Sequence, residues 1–126
     1  MISPLFNDTQ YQSLRAMLDV SMSRHQALAG NVANINTPGY HRSDIDPTFM
    51  QELQRATQTG DMAKLQTLTP KTQVDDKSPS FRLDGNNVNL EREMIEIAQN
   101  STQFEISAAM LAKRYQSLRM AITGRG

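Results

Sequence analysis

The feature that most restricts this chain is an apolar repeat at alternating spacings of four and three through residues 90–122. Leu90, Met94, Ile97, Ser101, Phe104, Ala108, Leu111, Tyr115, Leu118 and Ile122 occupy it, and Ser101 is the one clearly polar member. Only a helix puts such positions on one stripe, and a stripe this narrow calls for a helical partner. The flanks agree: Asn89 is a candidate N-cap, Glu91, Glu93 and Glu96 crowd the first turns, Lys113, Arg114 and Arg119 gather toward the last, and Gly124 supplies a stop. Each sign of charge stands where the helix dipole favours it. At about 1.5 Å per residue the rod is roughly 50 Å long, more than a compact domain of 126 residues would cover.

A second heptad run opens the chain. Asn7, Asp8 or Thr9 is the expected cap, and Tyr11, Leu14, Leu18, Ser21, His25, Leu28, Val32 and Ile35 follow at spacings of three and four. His25 is expected to be a packed polar residue bonded across the seam. Both runs are short of charge on their outer faces. Arg15, Asp19 and Arg24 are the only full charges from Thr9 to Ile35, while Met17, Val20, Met22, Ala27 and Ala29 lie off the seam. Glu105 is the only charge between Ala98 and Ala112, and Ile106, Met110 and Met120 form a broken second stripe opposite Leu111. One partner cannot cover both sides, so each helix is expected to touch several neighbours.

Two turn clusters bracket the middle. The first is Asn31-Val32-Ala33-Asn34-Ile35-Asn36-Thr37-Pro38-Gly39-Tyr40. Pro38 pushes Thr37 out of the helical region, and Pro-Gly at the central positions is the chemistry of a type II turn. Asn34 or Asn36 is expected to take a left-handed C-cap, and Tyr40 to pack its ring back with its hydroxyl in water. The second is Asp84-Gly85-Asn86-Asn87-Val88-Asn89, rich in residues that accept positive φ and leading straight into the long helix. Between them the heptads vanish. Asp46-Pro47 predicts a short helix over residues 48–58 with Phe49, Leu53 and Ala56 on one face, closed by Gly60. The rest, with Leu65, Leu68, Val74, Phe81 and Leu83 as sparse apolar points, reads as loop with at most one hairpin, or an arm that orders on contact.

The expected fold is therefore mainly α: long N- and C-terminal helices packed as an antiparallel-type coiled coil, with an irregular central insert of one short helix and at most a small β-hairpin. The corresponding segments are residues 1–36, 37–88 and 89–126. Their assembly seam comprises Leu14, Leu18, Leu28, Val32, Met94, Ile97, Phe104, Leu111, Tyr115 and Leu118, with Ile106, Met110 and Met120 as an outer apolar face.

Chemistry is thinly represented. Thirteen basic residues balance thirteen acidic ones, which disfavours an electrostatic binder of nucleic acid or anionic membrane. Cysteine is absent, which excludes disulfides, thiolate metal sites and a cysteine nucleophile. His41 with Asp44 and Asp46 is raw material for a metal or acid/base site, but Asp46 is better used as a cap. No catalytic residue, metal or cofactor is expected. The opening Met1-Ile2-Ser3-Pro4-Leu5-Phe6 lacks the marks of a secretory signal, and no run is long enough for a membrane span.

The first cluster matches N-x-A-N-x-x-T-P-G-Y through Asn31, Ala33, Asn34, Thr37, Pro38, Gly39 and Tyr40. It resembles the N-terminal signature of the bacterial flagellar basal-body rod proteins. The second cluster, through Asp84, Gly85, Asn86 and Val88, resembles the D-G-N-x-V-D-x-x stretch of that family's proximal-rod branch, with Asn89 where the branch usually has Asp. The resemblance covers both ends, about two thirds of the chain. It implies a non-enzymatic structural subunit, exported unfolded by the flagellar type III apparatus without a cleaved signal. It further implies helical assembly into a hollow rod crossing the periplasm, whose inner tube the terminal helices line. The implied partners are other copies, sibling rod proteins, and a basal-body ring or adaptor protein at the rod base. The competing expectation is a soluble helical adaptor or secretion chaperone that uses one seam as a groove and forms a stable small oligomer.

Overall fold

The computed structural model describes residues 8–124; the candidate cap Asn7 and the opening stretch lie outside the described residues. Helix α1 spans Thr9–Ala33. It is followed by strand β1 (Ser43–Ile45), helices α2 (Pro47–Thr59) and α3 (Met62–Thr67), strand β2 (Thr72–Val74) and helix α4 (Leu90–Thr123). β1 and β2 pair antiparallel, with Asp44 opposite Gln73.

Local chemistry accounts for these bounds. Asp8 caps α1 by accepting from the Tyr11 amide at 2.9 Å, and Asn89 caps α4 by accepting from the Arg92 amide at 3.0 Å. Asp46 caps α2 with Pro47 at its first position, and Gly60, at φ 69°, closes it in the left-handed region. Gly124 does the same for α4 at φ 61°. Each cap satisfies an amide or carbonyl the helix itself cannot. At the end of α1 the expectation needs correction. Asn34 sits at φ −102°, and no described non-glycine residue has positive φ. Asn34 instead donates from its side chain to the Gly30 carbonyl at 2.8 Å, which removes the need for a left-handed cap.

The terminal helices run antiparallel. Asp8 at the start of α1 pairs with Arg114 late in α4, and the Tyr11 and Tyr115 rings meet edge to face at 6.3 Å. Asn100 donates to the Ser21 carbonyl at 2.8 Å, and Asn31 donates to Glu93 at 2.9 Å. His25 is exposed rather than packed across this contact, because Asn100 supplies the polar bond at that level.

The apolar core lies elsewhere. Ala16 and Val20 of α1 meet Ile45, Phe49, Leu53 and Ala56 of β1 and α2 and Leu65 of α3, with Met17 and Leu68 packed alongside. Burying side chains the size of Phe49 or Leu53 contributes about 1.5–3 kcal/mol each. The insert thus carries two short helices, not one, packed on α1, together with the one small antiparallel strand pair expected, while residues 75–89 are loop with Phe81 and Leu83 exposed. It covers Met17 and Val20, off-seam residues expected to need an outside neighbour.

Candidate functional site

The two turn clusters close on each other. Thr37, Pro38, Gly39 and Tyr40 form a type II turn: the Tyr40 amide donates to the Thr37 carbonyl at 3.2 Å, and Gly39 sits at φ 69°, where a side chain would be strained. The Gly39 amide donates across to the Asp84 carbonyl at 2.8 Å. A Cβ on Gly85, itself at φ 78°, would touch the Gly39 Cα at 3.8 Å. Buried Asn86 spreads its side-chain amide over the carbonyls of Asn34 (2.9 Å), Ile35 (3.1 Å) and Thr37 (2.8 Å). Those carbonyls follow α1 and lack helical partners, so one side chain from the second cluster ties down the turn that follows the first helix, adding to the bonds from the Thr37 and Tyr40 amides. Val88 is buried beneath and donates its amide to Asn86 Oδ1 at 2.8 Å. Ala33 and Pro38 are exposed.

Beside this clasp lies a buried polar junction. Arg42 is 1% exposed and Glu93 0%. Arg42 Nε donates to Glu93 Oε1 at 2.7 Å and Nη1 to Asp75 Oδ2 at 2.9 Å, with Asp44 at 3.3 Å from Nη2. Asn31 completes the centre. It donates to Glu93 Oε2 and to the Ser43 carbonyl, and its Oδ1 accepts from the Ser43 amide at 2.8 Å and the Tyr40 hydroxyl at 3.3 Å. The Tyr40 hydroxyl is therefore spent on Asn31, not left in water. Arg24 bridges Asp44 at 2.8 Å and Glu96, so α1, β1, the β2 end and α4 share one network.

The charges respond to these contacts. Burial alone lowers the Arg42 guanidinium, but its bonds to Glu93 and Asp75 outweigh that and hold it above its ordinary range. Burial raises Asp75, yet the Ser78 hydroxyl, Arg42 and backbone amides bring it down to about 2. Asp44 is likewise held low, burial being overcome by Arg24, and Arg24 is raised chiefly by Asp44. This is a structural ion-pair network with its donors and acceptors matched. His41 pairs with Asp76 at 2.6 Å on the surface, apart from Asp44 and Asp46, and no metal-binding cluster occurs among the described residues.

The junction sets the rotation of α4 about its axis. Glu93, Asn100 and Ser107 are its buried residues, seven apart, and half-buried Arg114 continues the series. Toward α1, then, α4 turns a polar stripe together with Ile97, Leu111 and Leu118, all half-buried. On α1, Leu14 and Leu28 are buried and Leu18 and Val32 half-buried. Every second seam position of α4 lies one residue past the contact. Leu90, Met94 and Ile122 are exposed, as are Phe104 and Tyr115, and so are Ile106, Met110 and Met120 of the outer face. The polar stripe was missed because its members sit beside an apolar one; its own signal is their seven-residue spacing.

No protein-family model matches the chain. Curated relatives do. It is 34% identical over 120 residues to the flagellar basal body rod protein FlgB of Escherichia coli (strain K12), covering 80% of this chain and 83% of that one. It is 35% identical over 112 residues to FlgB of Cereibacter sphaeroides, at 81% and 84% coverage. With FlgB of Proteus mirabilis it shares 28% identity across the full length of both chains.

Proposed function

This chain belongs to the FlgB family of flagellar basal body rod proteins, and from that premise we propose that it is a structural subunit of the proximal rod. It assembles helically with further copies and with sibling rod proteins into a hollow shaft that crosses the periplasm, transmits torque and passes exported subunits. Its other partners are the ring or adaptor protein at the rod base and the type III export apparatus, which delivers it unfolded from the cytoplasm without signal cleavage. No helix among the described residues is long and apolar enough to cross a membrane.

The observation that carries this reading is the orientation of α4. A polar stripe faces α1, while Leu90, Met94, Ile95, Ile106, Met110 and Ile122 stay exposed along 34 residues. Leu90, Met94 and Ile122 lie on one side of the helix and Ile95, Ile106 and Met110 on the other, an arrangement that suits more than one neighbour, and adjoining helices in a tube would bury both. The exposed seam residues Met94, Phe104 and Tyr115 and the outer face of Ile106, Met110 and Met120 are, on this reading, contacts between subunits, while Leu14, Leu28, Ile97, Leu111 and Leu118 hold α1 and α4 of one molecule together.

Sedimentation of the purified chain with sibling rod proteins tests it. The wild type should co-sediment as large assemblies. Leu111→Asp should abolish them, because it buries an unpaired charge. Met110→Asp, at an exposed position, should abolish them with helicity unchanged, which separates assembly from folding. A wild-type chain that stays monomeric beside its siblings, with both terminal helices fully protected in hydrogen exchange, would overturn the proposal.

A further inference from the structure

Phe81 is 92% exposed and Leu83 wholly so, yet the loop carrying them is tied down. Arg82, between them, donates to the Ile35 carbonyl and pairs with Asp84 at 2.8 Å. Ser80 Oγ donates to the Asn86 carbonyl at 2.9 Å, and the Gly85 amide closes a turn onto the Arg82 carbonyl at 3.2 Å. Residue 82 is thus fastened to the body while its two neighbours stand out in water. A loop backbone already held in place loses little further freedom when the side chains it carries are buried, a condition that favours a binding knob.

The same chain carries a recess of fitting size and charge. Between α1 and α4, Ser21, Met22, His25, Gln26, Phe104 and Glu105 line an open groove of about 400 Å³. That volume is at the lower end of ligand-binding cavities, suited to a pair of apolar side chains rather than a whole helix. Met22 and Phe104 are its exposed apolar walls. Glu105 is the carboxylate among its lining residues, and Arg82, 38% exposed and paired with Asp84, sits between the two knobs, where a guanidinium with five donors can meet a second carboxylate, as Arg24 does with Asp44 and Glu96. One molecule cannot fill its own groove. The knob loop is fastened at residue 35 and the groove lies at residues 21–26, on the order of 15–20 Å away along α1.

We propose that Phe81 and Leu83 of one copy seat in the groove walled by Met22 and Phe104 of a second copy of this chain. The contact is head to tail, so each added copy leaves one free knob and one free groove, and growth is open-ended. Its setting rests on the rod reading, which it deepens by naming the residues that meet.

The absence of cysteine permits a direct test on the full chain. Leu83→Cys and Met22→Cys variants, mixed at high concentration under a mild oxidant, should form a disulfide-linked dimer. Its yield should exceed several-fold that of Leu83→Cys mixed with Gln54→Cys, an exposed position on α2. Yields at the control level overturn the contact. A Phe81→Ser/Leu83→Ser chain should keep the wild-type melting temperature while losing self-association on sedimentation; unchanged self-association also overturns it. If the wild type co-sediments with sibling rod proteins while the cysteine pair stays at control level, the contact fails and the rod reading stands. A strong cross-link in a chain that never joins those proteins keeps the contact and removes the rod reading.

Discussion

Glu93→Gln is the sharpest probe of the polar junction. The substitution keeps the shape and one acceptor oxygen but removes the charge that Arg42 meets at 2.7 Å in a site with no solvent access. Removing one partner of a buried pair generally costs about 3–5 kcal/mol. Here Arg42 keeps Asp75 at 2.9 Å and Asp44 at 3.3 Å, so the loss should fall near the lower end, about 3 kcal/mol. That is a large part of the roughly 5–15 kcal/mol stability of an ordinary domain. Urea unfolding followed by circular dichroism reads it, with Glu52→Gln as the control. Glu52 pairs with Lys64 at 3.3 Å with both side chains nearly half exposed, and such surface pairs contribute about 0–1 kcal/mol. Hydrogen exchange should show the loss first in the opening turns of α4, which the junction anchors. A Glu93→Gln protein within about 1 kcal/mol of wild type would refute the claim that this ion pair, rather than apolar packing, seats α4.

The junction also predicts sensitivity to acid. Asp75 is held down at about 2 and Asp44 also lies below its ordinary value. Their contribution is therefore complete above the unfolded carboxylate range near pH 4 and is lost as pH falls toward 2; a melting temperature flat between pH 4 and 2 would contradict this. Gly39→Val should cost at least about 1–2 kcal/mol, because φ of 69° is strained for any side chain and more so for a β-branched one; no atom within 4 Å of the added Cβ would confuse the reading. Asn86→Asp should be worse than Asn86→Ala in thermal melts, since it sets a carboxylate against the three carbonyls the amide now serves, whereas alanine removes the amide's bonds but leaves each carbonyl its other donor, the Thr37 amide, Arg82 or the Tyr40 amide, a loss of about 1–3 kcal/mol.

What could be read from sequence was local. Asn89 and Gly124 bound α4, Asp46-Pro47 and Gly60 bound α2, and Thr37-Pro38-Gly39-Tyr40 forms its turn, because each signal lies within a few residues of its effect. The third helix escaped notice because six residues carry no periodicity and its cap, Asp61, looks like any surface acid. The apolar face of Phe49, Leu53 and Ala56 was visible, but its packing on Ala16 and Val20 of α1 was not, because that contact exists only once the distant helix lies beside it. The junction was hardest of all. Arg42 and Glu93 are 51 positions apart, and nothing near either marks it as buried. On the candidate interface, the apolar stripe of α4 was visible, but which edge of it turns inward was settled by that distant pair.

That separation also imposes an order of events. The α1 and insert core closes with nothing beyond Leu68, so the first half of the molecule can condense while the last third is still arriving. Arg42 then waits, its guanidinium lacking the Glu93 carboxylate, until residue 93 is delivered. On the rod reading proposed above, in which the chain is delivered unfolded, docking of the first turn of α4 then marks the arrival of residue 93, and Asn100 and Ser107 follow it onto α1.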